Sequence, residues 1–317
     1  PVLLQTDRIC YEQGTGMSDL CHMGGYSSEG AAREYAVSAQ SGLRFIPYVT
    51  RSAGGANEQN ERTPCMHDPA YIAAEQEKIA RTSAQAAPYS PPAYTLGDEN
   101  YLCRSEYECC HSEETMAAFR EWLGDRYGTI AALNAEWATD YAGFDEVEPI
   151  TIAEAAQLPE SFARWIDHKL FMDTAFAEMH EIGAAAVKSQ DPGTKVGWDG
   201  FLGYNWKMGY DFAKLTENLE MNQTYNSNFL QGELYRFFKR DDAFTGKWGN
   251  SVADVEEGWH AFPWDCLLAG DNSVWWWTSW GCDYIPFNPD LSISNMGRWF
   301  FESLEETRSG PGRLLLN

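Results

Sequence analysis

Positive charge is scarce in this 317-residue sequence, which has 23 Lys and Arg against 47 Asp and Glu and a formal net charge of −24. Nucleic acids and anionic membranes bind basic patches, so this balance argues against both as partners. Long hydrophobic runs are missing as well: no stretch of about 18 apolar residues occurs, and we expect no membrane span. A solvated acidic surface accounts for most of the charge and is compatible with a neutral or cationic substrate.

The sequence also lacks a secretory signal peptide at its start. The opening, PVLLQTDR, has neither a basic region nor a long apolar core, and it reads as a strand already under way. The ending, SGPGRLLLN, reads as the opening of a further segment. We therefore expect residues 1–317 to be a single domain taken from a longer protein. The eight cysteines, an even number, permit disulfides and favour an extracellular or periplasmic location over a cytoplasmic one.

No CxxC pair occurs among the cysteines, so their spacing does not by itself specify a metal site. One group is close in sequence and permits either a metal ion or a disulfide: Cys103, Cys109 and Cys110, with Cys65 upstream. Two further disulfides are compatible with the remaining thiols: Cys10–Cys21 and Cys266–Cys282.

Short apolar runs alternate with helical patterns along the chain. The runs are apolar on both faces, as in the strands of a parallel sheet that is covered on both sides. No GxGxxG follows the first run, which weakens the case for a nucleotide-binding sheet. The pattern predicts an α/β fold, a (β/α)8 TIM-type barrel with an incomplete or trimmed first strand. The predicted strands cover 2–6, 43–49, 93–97, 195–200, 219–225, 243–248 and 273–280, and the predicted helices cover 29–41, 68–86, 112–127, 160–189, 209–218, 253–269 and 293–306.

The segment 94-YTLGDEN-100 ends a predicted strand on Asp98, Glu99 and Asn100. In a barrel, the carboxyl ends of the strands converge on the face where such enzymes place their chemistry. Two carboxylates across a cleft can hydrolyse a glycosidic bond, because one gives a proton to the leaving oxygen and the other attacks the sugar carbon or activates water. Glu99 is the candidate acid. The like charge of Asp98 beside it would help to raise the pKa of Glu99 if both side chains face the cleft. Consecutive side chains of a strand point to opposite faces of the sheet, so only one of Asp98 and Glu99 faces the substrate unless a bulge intervenes. The alternative is that the two carboxylates cap the next loop by hydrogen bonds.

Residues 94–149 resemble the clan A glycoside hydrolases, most closely the family 42 β-galactosidase type. YTLGDEN is followed by a cysteine-rich loop and by 119-FREWLGDRYGTIAALNAEWATDYAGFDEVEP-149, which is similar to the family's FxxWLxxxYGxxxxLNxxWxTxxxxFxxVxP. The stretch 62-RTPCMHDPAY-71 also resembles the family. The resemblance implies a (β/α)8 barrel, a retaining mechanism and Glu99 as the acid/base residue.

Two departures from the family's pattern concern the catalytic carboxylates. The family has Asn directly before its acid/base Glu, where this chain has Asp98. The family's nucleophile ends the seventh strand, where 243-AFTGKWGNS-251 has no carboxylate and Trp248 falls near that position. We favour Asp199, in 196-VGWDG-200, as the second carboxylate, although an Asp before a Gly also suits a turn. If the two carboxyl groups of Asp199 and Glu99 lie more than ~5.5 Å apart, an inverting reaction is favoured. The other candidates are Glu233, Glu256 and Glu257.

The resemblance also bears on the cysteines. Members of the family often hold a structural zinc ion through one cysteine of the third βα loop and three after the acid/base strand. Cys65 matches the first, and Cys103, Cys109 and Cys110 lie in the second region with altered spacing, so His111 could replace one of the adjacent pair. A structural zinc ion, a disulfide within this group and free thiols all stay open. No cofactor is expected for the catalysis itself.

Aromatic residues are abundant, with 13 Trp, 16 Tyr and 16 Phe. The run 275-WWWTSW-280 is too dense for core filling alone, and such rings also stack on sugars. Alternation sends some of them to the core, so we expect one or two at most to touch a ligand. The substrate-binding candidates are Asp98, Asn100, Tyr225, Trp248, Trp276, Trp277 and Trp280, with Trp198 and Trp206 as further aromatics.

The leading hypothesis is therefore a β-galactosidase-like glycoside hydrolase that acts on an oligo- or polysaccharide. The alternative is a carbohydrate-binding barrel that does not hydrolyse, which the missing carboxylate of the seventh strand favours. The resemblance also leads us to expect a homo-oligomer, formed through a domain that follows the barrel.

Overall fold

The computed structural model describes residues 21–24, 29–40, 44–104, 107–158, 161–202, 205–225, 229–249, 255–275, 288, 290 and 292–308. The strands are β1 (Cys21–Gly24), β2 (Arg44–Pro47), β3 (Gly55–Ala56), β4 (Arg62–Thr63), β5 (Ala93–Asp98), β6 (Lys195–Phe201), β7 (Met221–Tyr225), β8 (Phe244–Trp248) and β9 (Ser273–Trp275). The helices are α1 (Glu29–Gln40), α2 (Pro69–Ala86), α3 (Glu113–Tyr127), α4 (Ile130–Trp137), α5 (Ile152–Ala155), α6 (Ala163–Lys188), α7 (Phe212–Asn218), α8 (Phe229–Phe238), α9 (Glu256–Leu268) and α10 (Asn295–Arg308).

The longer strands form one parallel series in chain order. β5, β6, β7, β8 and β9 are hydrogen-bonded neighbours in that order, and β1 pairs with β2. Tyr48, directly after β2, bridges in parallel to Thr95 of β5 and so joins the two sheets. β3 and β4 form a separate antiparallel pair. Parallel strands that alternate with helices in this order form the wall of a (β/α) barrel, as predicted, with their carboxyl ends on one face.

Most predicted elements agree with the structure to within a few residues. The helix predicted over 112–127 is α3, and the helix predicted over 160–189 is α6. The sequence pattern does not predict β1, which is short, or α8, which has a glycine in its interior. The predicted strand 2–6 lies outside the described residues, and the predicted strand 273–280 is described only as far as Trp275.

Side-chain caps fix where the helices on either side of the cysteine-rich loop begin. The Ser112 hydroxyl accepts a hydrogen bond from the Thr115 amide at 3.3 Å, and Glu113 and Glu114 occupy the first turn of α3, near the positive end of its dipole. The Asp68 carboxylate caps α2 in the same way.

Apolar side chains pack on both faces of the sheet. The larger layer lies between strands and helices, where Trp198 of β6 contacts Phe176 of α6 and Phe201. The smaller layer lies inside the barrel and consists of Ile46, Ala93, Met221, Trp248 and Trp275. Among the described residues, no helix has the length and apolar character needed to cross a membrane.

Candidate active site

The end of β5 departs from regular strand geometry. Its register with β6 shifts between Thr95 and Asp98. Gly97 has φ 133°, a value that favours glycine, and a Cβ at this position would lie 2.8 Å from the Thr50 carbonyl oxygen. Glu99 also has a positive φ, of 51°. This irregularity removes the strict alternation that would send Asp98 and Glu99 to opposite faces of the sheet.

Both carboxyl groups lie next to Tyr225 at the end of β7. The Tyr225 hydroxyl donates a hydrogen bond to Glu99 Oε1 at 2.7 Å. A Cβ on Gly200 would collide with Asp98 Oδ1 and would lie 2.9 Å from the Tyr225 hydroxyl oxygen. Asp98 Oδ1 and the Tyr225 hydroxyl therefore share the space that the absent side chain of Gly200 leaves. The structure brings together three of the residues that the sequence singles out.

Glu99 also lies beside two positive charges. Arg51 Nη2 is 3.4 Å and Arg104 Nη1 is 3.7 Å from Glu99 Oε2. The Glu99 side chain is 27% exposed, so a ligand can reach it. Sequence reasoning does not single out Arg104; the available signal is an arginine close after the acidic strand end in a chain with few cations.

Asp98 combines partial burial with a neighbouring like charge. Burial, together with the charge of Glu99, raises the pKa of Asp98 to about 6, while Arg51 opposes the shift. Below this pKa the carboxyl group is neutral and can donate a hydrogen bond. Neutral Asp is then similar in shape and donor capacity to Asn, the residue found before the acid/base Glu in the resembled family.

Asp199 is the register partner of Asp98 on β6, but it lies deeper in the barrel. It is fully buried, and the Gln223 amide donates to its Oδ1 in the orientation that also lets Gln223 accept from Trp275 Nε1 at 2.8 Å. Its Oδ2 has no hydrogen-bond partner among the described residues. Burial raises the pKa of Asp199 well above its usual range, and Asp98 adds to this shift. The predicted second carboxylate is thus a fully buried group whose charged form is disfavoured and which solvent does not reach.

Glu233, another predicted carboxylate, lies apart from this cluster. It belongs to α8 and lines a small cavity together with Asn222 and Thr224 of β7. These two residues alternate along the strand with Tyr225. Successive residues of a strand face opposite sides of the sheet. Glu233 therefore lies with Asn222 and Thr224 on the helical side, whereas Glu99 lies with Tyr225 on the other side.

Asn100 supports the strand end from within. It is fully buried, its Oδ1 accepts from the Ser52 amide at 3.0 Å, and its Nδ2 donates to the Leu96 carbonyl at 3.1 Å and to His180 Nε2 at 3.0 Å. Burial lowers the pKa of His180 to about 3, so this ring is neutral and can accept. The predicted substrate-binding role of Asn100 is therefore replaced by a structural one, since all of its polar atoms are already used.

The aromatic candidates fall into three groups. Trp248 is buried in the inner apolar layer, where its ring centroid lies 5.7 Å from that of Trp275. Trp198 is fully buried in the outer layer. Trp206 is half-buried and makes an edge contact with Trp165. The remaining candidates, Trp276, Trp277 and Trp280, lie outside the described residues.

The four cysteines expected to bind zinc form two pairs rather than one group. Cys65 and Cys110 are hydrogen-bonded to each other, and both contact Ser112 Oγ, at 3.1 and 3.5 Å. Cys103 is hydrogen-bonded to Cys109. A tetrahedral zinc site holds its sulfur atoms about 3.8 Å apart. Within the described part of the chain, no three of these thiols bring sulfur atoms within 4.8 Å of one another, so as placed they do not fit a zinc ion.

Solved structures with the same architecture include several glycoside hydrolases. A catalytic mutant of a family 42 β-galactosidase from G. stearothermophilus matches 99% of this chain and 54% of its own, with a TM-score of 0.73 and 14% identity. The catalytic domain of a β-amylase from Paenibacillus polymyxa matches 97% of this chain and 95% of its own, with a TM-score of 0.70 and 12% identity. At such identities the likeness shows the fold alone, a (β/α)8 barrel of the glycoside hydrolase type.

Sequence likeness covers a shorter region. A β-galactosidase of Haloferax lucentense is 25% identical over 181 residues, which are 54% of this chain and 26% of the relative. The chain thus spans about a quarter of the length of the curated relatives that it matches first. The model of the β-galactosidase family matches residues 62–245, more than half of the chain. This match confirms the resemblance drawn from YTLGDEN and the segment after it, and the chain belongs to glycoside hydrolase family 42, the β-galactosidase family.

Proposed function

We propose that this chain carries the acid/base centre of a β-galactosidase-like glycoside hydrolase, with Glu99 as the acid/base residue. The observation that carries the proposal is the placement of Glu99. It is partly exposed at the carboxyl end of a barrel strand, it accepts a hydrogen bond from Tyr225, and two arginines flank it. The named relatives support a β-galactoside or a related oligo- or polysaccharide as substrate.

The mechanism that we propose is the retaining double displacement typical of the family. Glu99 gives its proton to the glycosidic oxygen as the bond to the leaving group breaks, and it later takes a proton from the water that attacks the sugar carbon. Tyr225 and Arg51 hold the Glu99 carboxyl group in place between these steps. Asp98, neutral below a pH of about 6, donates a hydrogen bond to a sugar hydroxyl.

Hydrolysis with retention also needs a carboxylate that attacks the sugar carbon. Asp199 is fully buried and Glu233 faces the helical side of the sheet, so neither is expected to carry out this step. A 2-deoxy-2-fluoroglycoside with an activated leaving group traps the covalent intermediate of a retaining enzyme, and peptide mass spectrometry then identifies the labelled residue. A label on Asp199 or Glu233 would contradict this part of the proposal.

A second candidate function, sugar binding without hydrolysis, rests on the same burial of Asp199. Trp248 also stands near the position where the resembled family has its nucleophile. Under this alternative the fluoroglycoside leaves no label and no substrate is turned over, although calorimetry detects sugar binding.

Glu99→Gln tests the leading proposal. We expect kcat/KM to fall by about 10²–10⁴-fold on an unactivated β-galactoside, because the general acid is lost. The fall should be smaller on an aryl galactoside whose leaving group needs no proton. Sugar binding, measured by calorimetry, should change little. Glu121→Gln, an exposed change of the same kind on α3, is the matched control. Equal turnover by Glu99→Gln and by the control would remove Glu99 from the acid/base role.

A further inference from the structure

The last two described helices of the barrel pack against each other through an apolar contact. Trp259 and Phe262 of α9 are buried against Trp299 and Phe300 of α10, and the Trp259 and Phe300 rings meet edge to face with centroids 6.3 Å apart. The contact fixes the two helices relative to each other. Polar side chains at its border are therefore held at a defined spacing.

At that border, one histidine lies among carboxylates from both helices. Glu256 and His260 are one turn apart on α9, and Glu302 and Glu306 are one turn apart on α10, so each pair projects from one face of its helix. His260 Nδ1 lies 3.1 Å from Glu306 Oε2, within hydrogen-bond distance. His260 Nε2 lies 3.8 Å from Glu302 Oε2, which is too long for a hydrogen bond.

We propose that Glu256, His260 and Glu302 bind a divalent transition-metal ion of the Zn²⁺ type. One potential ligand atom from each of the three residues lies within 4.8 Å of the other two. Zinc takes imidazole nitrogen and carboxylate oxygen at about 2.0–2.2 Å, so two ligands of one ion lie about 3–3.5 Å apart. Small rotations of partly exposed side chains bring the three atoms to that spacing.

Glu306 has a different part in this site. Histidine ligands of metal ions usually donate their second ring N–H to a carboxylate, which fixes the tautomer and the orientation of the ring. Here Glu306 is placed to accept from Nδ1, and in that tautomer Nε2, 3.8 Å from Glu302 Oε2, carries the lone pair that a metal ion would take. The imidazole is thus oriented for an ion before any ion binds.

The ligand set selects the class of ion. One imidazole and two carboxylates suit Zn²⁺, Co²⁺ or Ni²⁺ better than Ca²⁺, which takes six to eight oxygen ligands. A bound cation would also offset the repulsion among carboxylates in a chain of net charge −24. The site joins α9 to α10 on the outside of the barrel and shares no residue with the cluster around Glu99. We therefore expect the ion to stabilise this end of the barrel and to leave the activity proposed for Glu99 unchanged.

The test compares Zn²⁺ binding by metal-free wild-type protein and by His260→Gln, Glu302→Gln and their double variant, using isothermal calorimetry. We expect at least about a tenfold loss of affinity in each single variant and the loss of one bound equivalent in the double variant. Glu305→Gln, at an exposed neighbour on α10, makes the same change in charge as Glu302→Gln but outside the site, and Glu257→Gln is the corresponding surface change on α9; both variants should bind as the wild type does. Glu306→Gln should weaken binding without abolishing it.

Two measurements separate this site from the cysteine thiols and from a folding defect. Co²⁺ bound to thiolates gives intense charge-transfer absorption, whereas the equivalent lost with His260 and Glu302 should give only weak d–d bands. In the unsubstituted protein, Zn²⁺ should protect His260 from modification by diethyl pyrocarbonate, as read by peptide mass spectrometry. The same Zn²⁺ stoichiometry and affinity in the double variant, or modification of His260 at an unchanged rate with Zn²⁺, would overturn the proposal.

Discussion

Asp98 and Asp199 are the same residue type at register-paired positions of neighbouring strands, yet they occupy different environments. Asp98 is partly exposed at the barrel mouth beside Glu99, whereas Asp199 is fully buried among Gln223 and the inner side chains. Burial is the first cause of the raised pKa in both, but Asp98 is shifted only to about 6. The register shift before Asp98 in β5 is what gives the two carboxyl groups different surroundings. Residue type and strand position therefore do not decide which carboxyl group meets a ligand.

After Glu99→Gln, the largest effect is expected from Asp98→Asn at alkaline pH. If neutral Asp98 donates a hydrogen bond to the sugar, wild-type kcat/KM should fall about tenfold for each pH unit above the pKa of about 6. Asn does not titrate, so at pH 8 the variant should exceed the wild type by about 100-fold, and at pH 5 the two should be equal. A variant that is slower at every pH would mean that Asp98 acts as a carboxylate.

A smaller effect is expected from Tyr225→Phe, which removes the hydrogen bond to Glu99. A hydrogen bond to a charged group contributes about 1.5–3 kcal/mol, so kcat should fall by roughly tenfold or more. KM should change less, because the lost contact is to the catalytic group. Tyr89→Phe, at a partly exposed tyrosine outside the cluster, is the control for the loss of a hydroxyl group. An unchanged kcat would show that Glu99 needs no help from Tyr225.

Asp199→Asn should act on stability rather than on turnover. The folded-state pKa of Asp199 lies above the unfolded value of about 3.9, so the folded protein holds the proton more tightly and its unfolding free energy falls as pH rises from about 4 towards the folded pKa. Asn removes this dependence. Urea unfolding at pH 5 and pH 8 should show that the unfolding free energy of the variant falls less between the two pH values than that of the wild type.

The Asp98 contribution to this pH dependence has the same sign and is present in both proteins, so it does not disturb the difference. Parallel curves for the wild type and Asp199→Asn would contradict a neutral Asp199. A loss of turnover as large as that of Glu99→Gln would return Asp199 to the catalytic role predicted from the sequence.

Glu233→Gln should have the smallest effect. Glu233 pairs with Arg236 on the helical side of the sheet, and both side chains are partly exposed, so the pair contributes only about 0–1 kcal/mol to stability. Turnover should stay within about twofold of the wild type. A large loss of kcat would place Glu233 at the substrate, against the geometry of β7.

The strand tips show how far the sequence could predict the site. Because parallel strands end on one face, the sequence predicts that Asp98, Glu99 and Tyr225 come together, and the structure has this cluster. The bulge before Asp98 is not predictable, since it depends on how β5 pairs with β6. The burial of Asn100 and Asp199 is not predictable from the sequence either, because it also depends on how the strands pair. The extracellular or periplasmic location, the homo-oligomer and the binding roles of Trp276, Trp277 and Trp280 stay predictions.

The cysteines illustrate the same limit. The sequence places Cys65 and the group around Cys109 near each other, and the structure confirms that they meet. Spacing alone leaves zinc, disulfide and free thiol open, because the choice depends on distances between sulfur atoms. Those distances follow from the path of the loop between β5 and α3, and the loop gives two thiol pairs.

By itself the sequence determined the barrel, through the alternation of apolar strands with helices, and the family, through the specific pattern of residues 94–149. It also placed Glu99 at the carboxyl end of a barrel strand, as the structure has it. The tertiary structure alone decided which other polar groups are reachable: Asp98 is, whereas Asn100 and Asp199 are not. The physical reason is that burial and the face of a sheet depend on register and bulges, which arise from contacts between distant segments rather than from the residues of one strand.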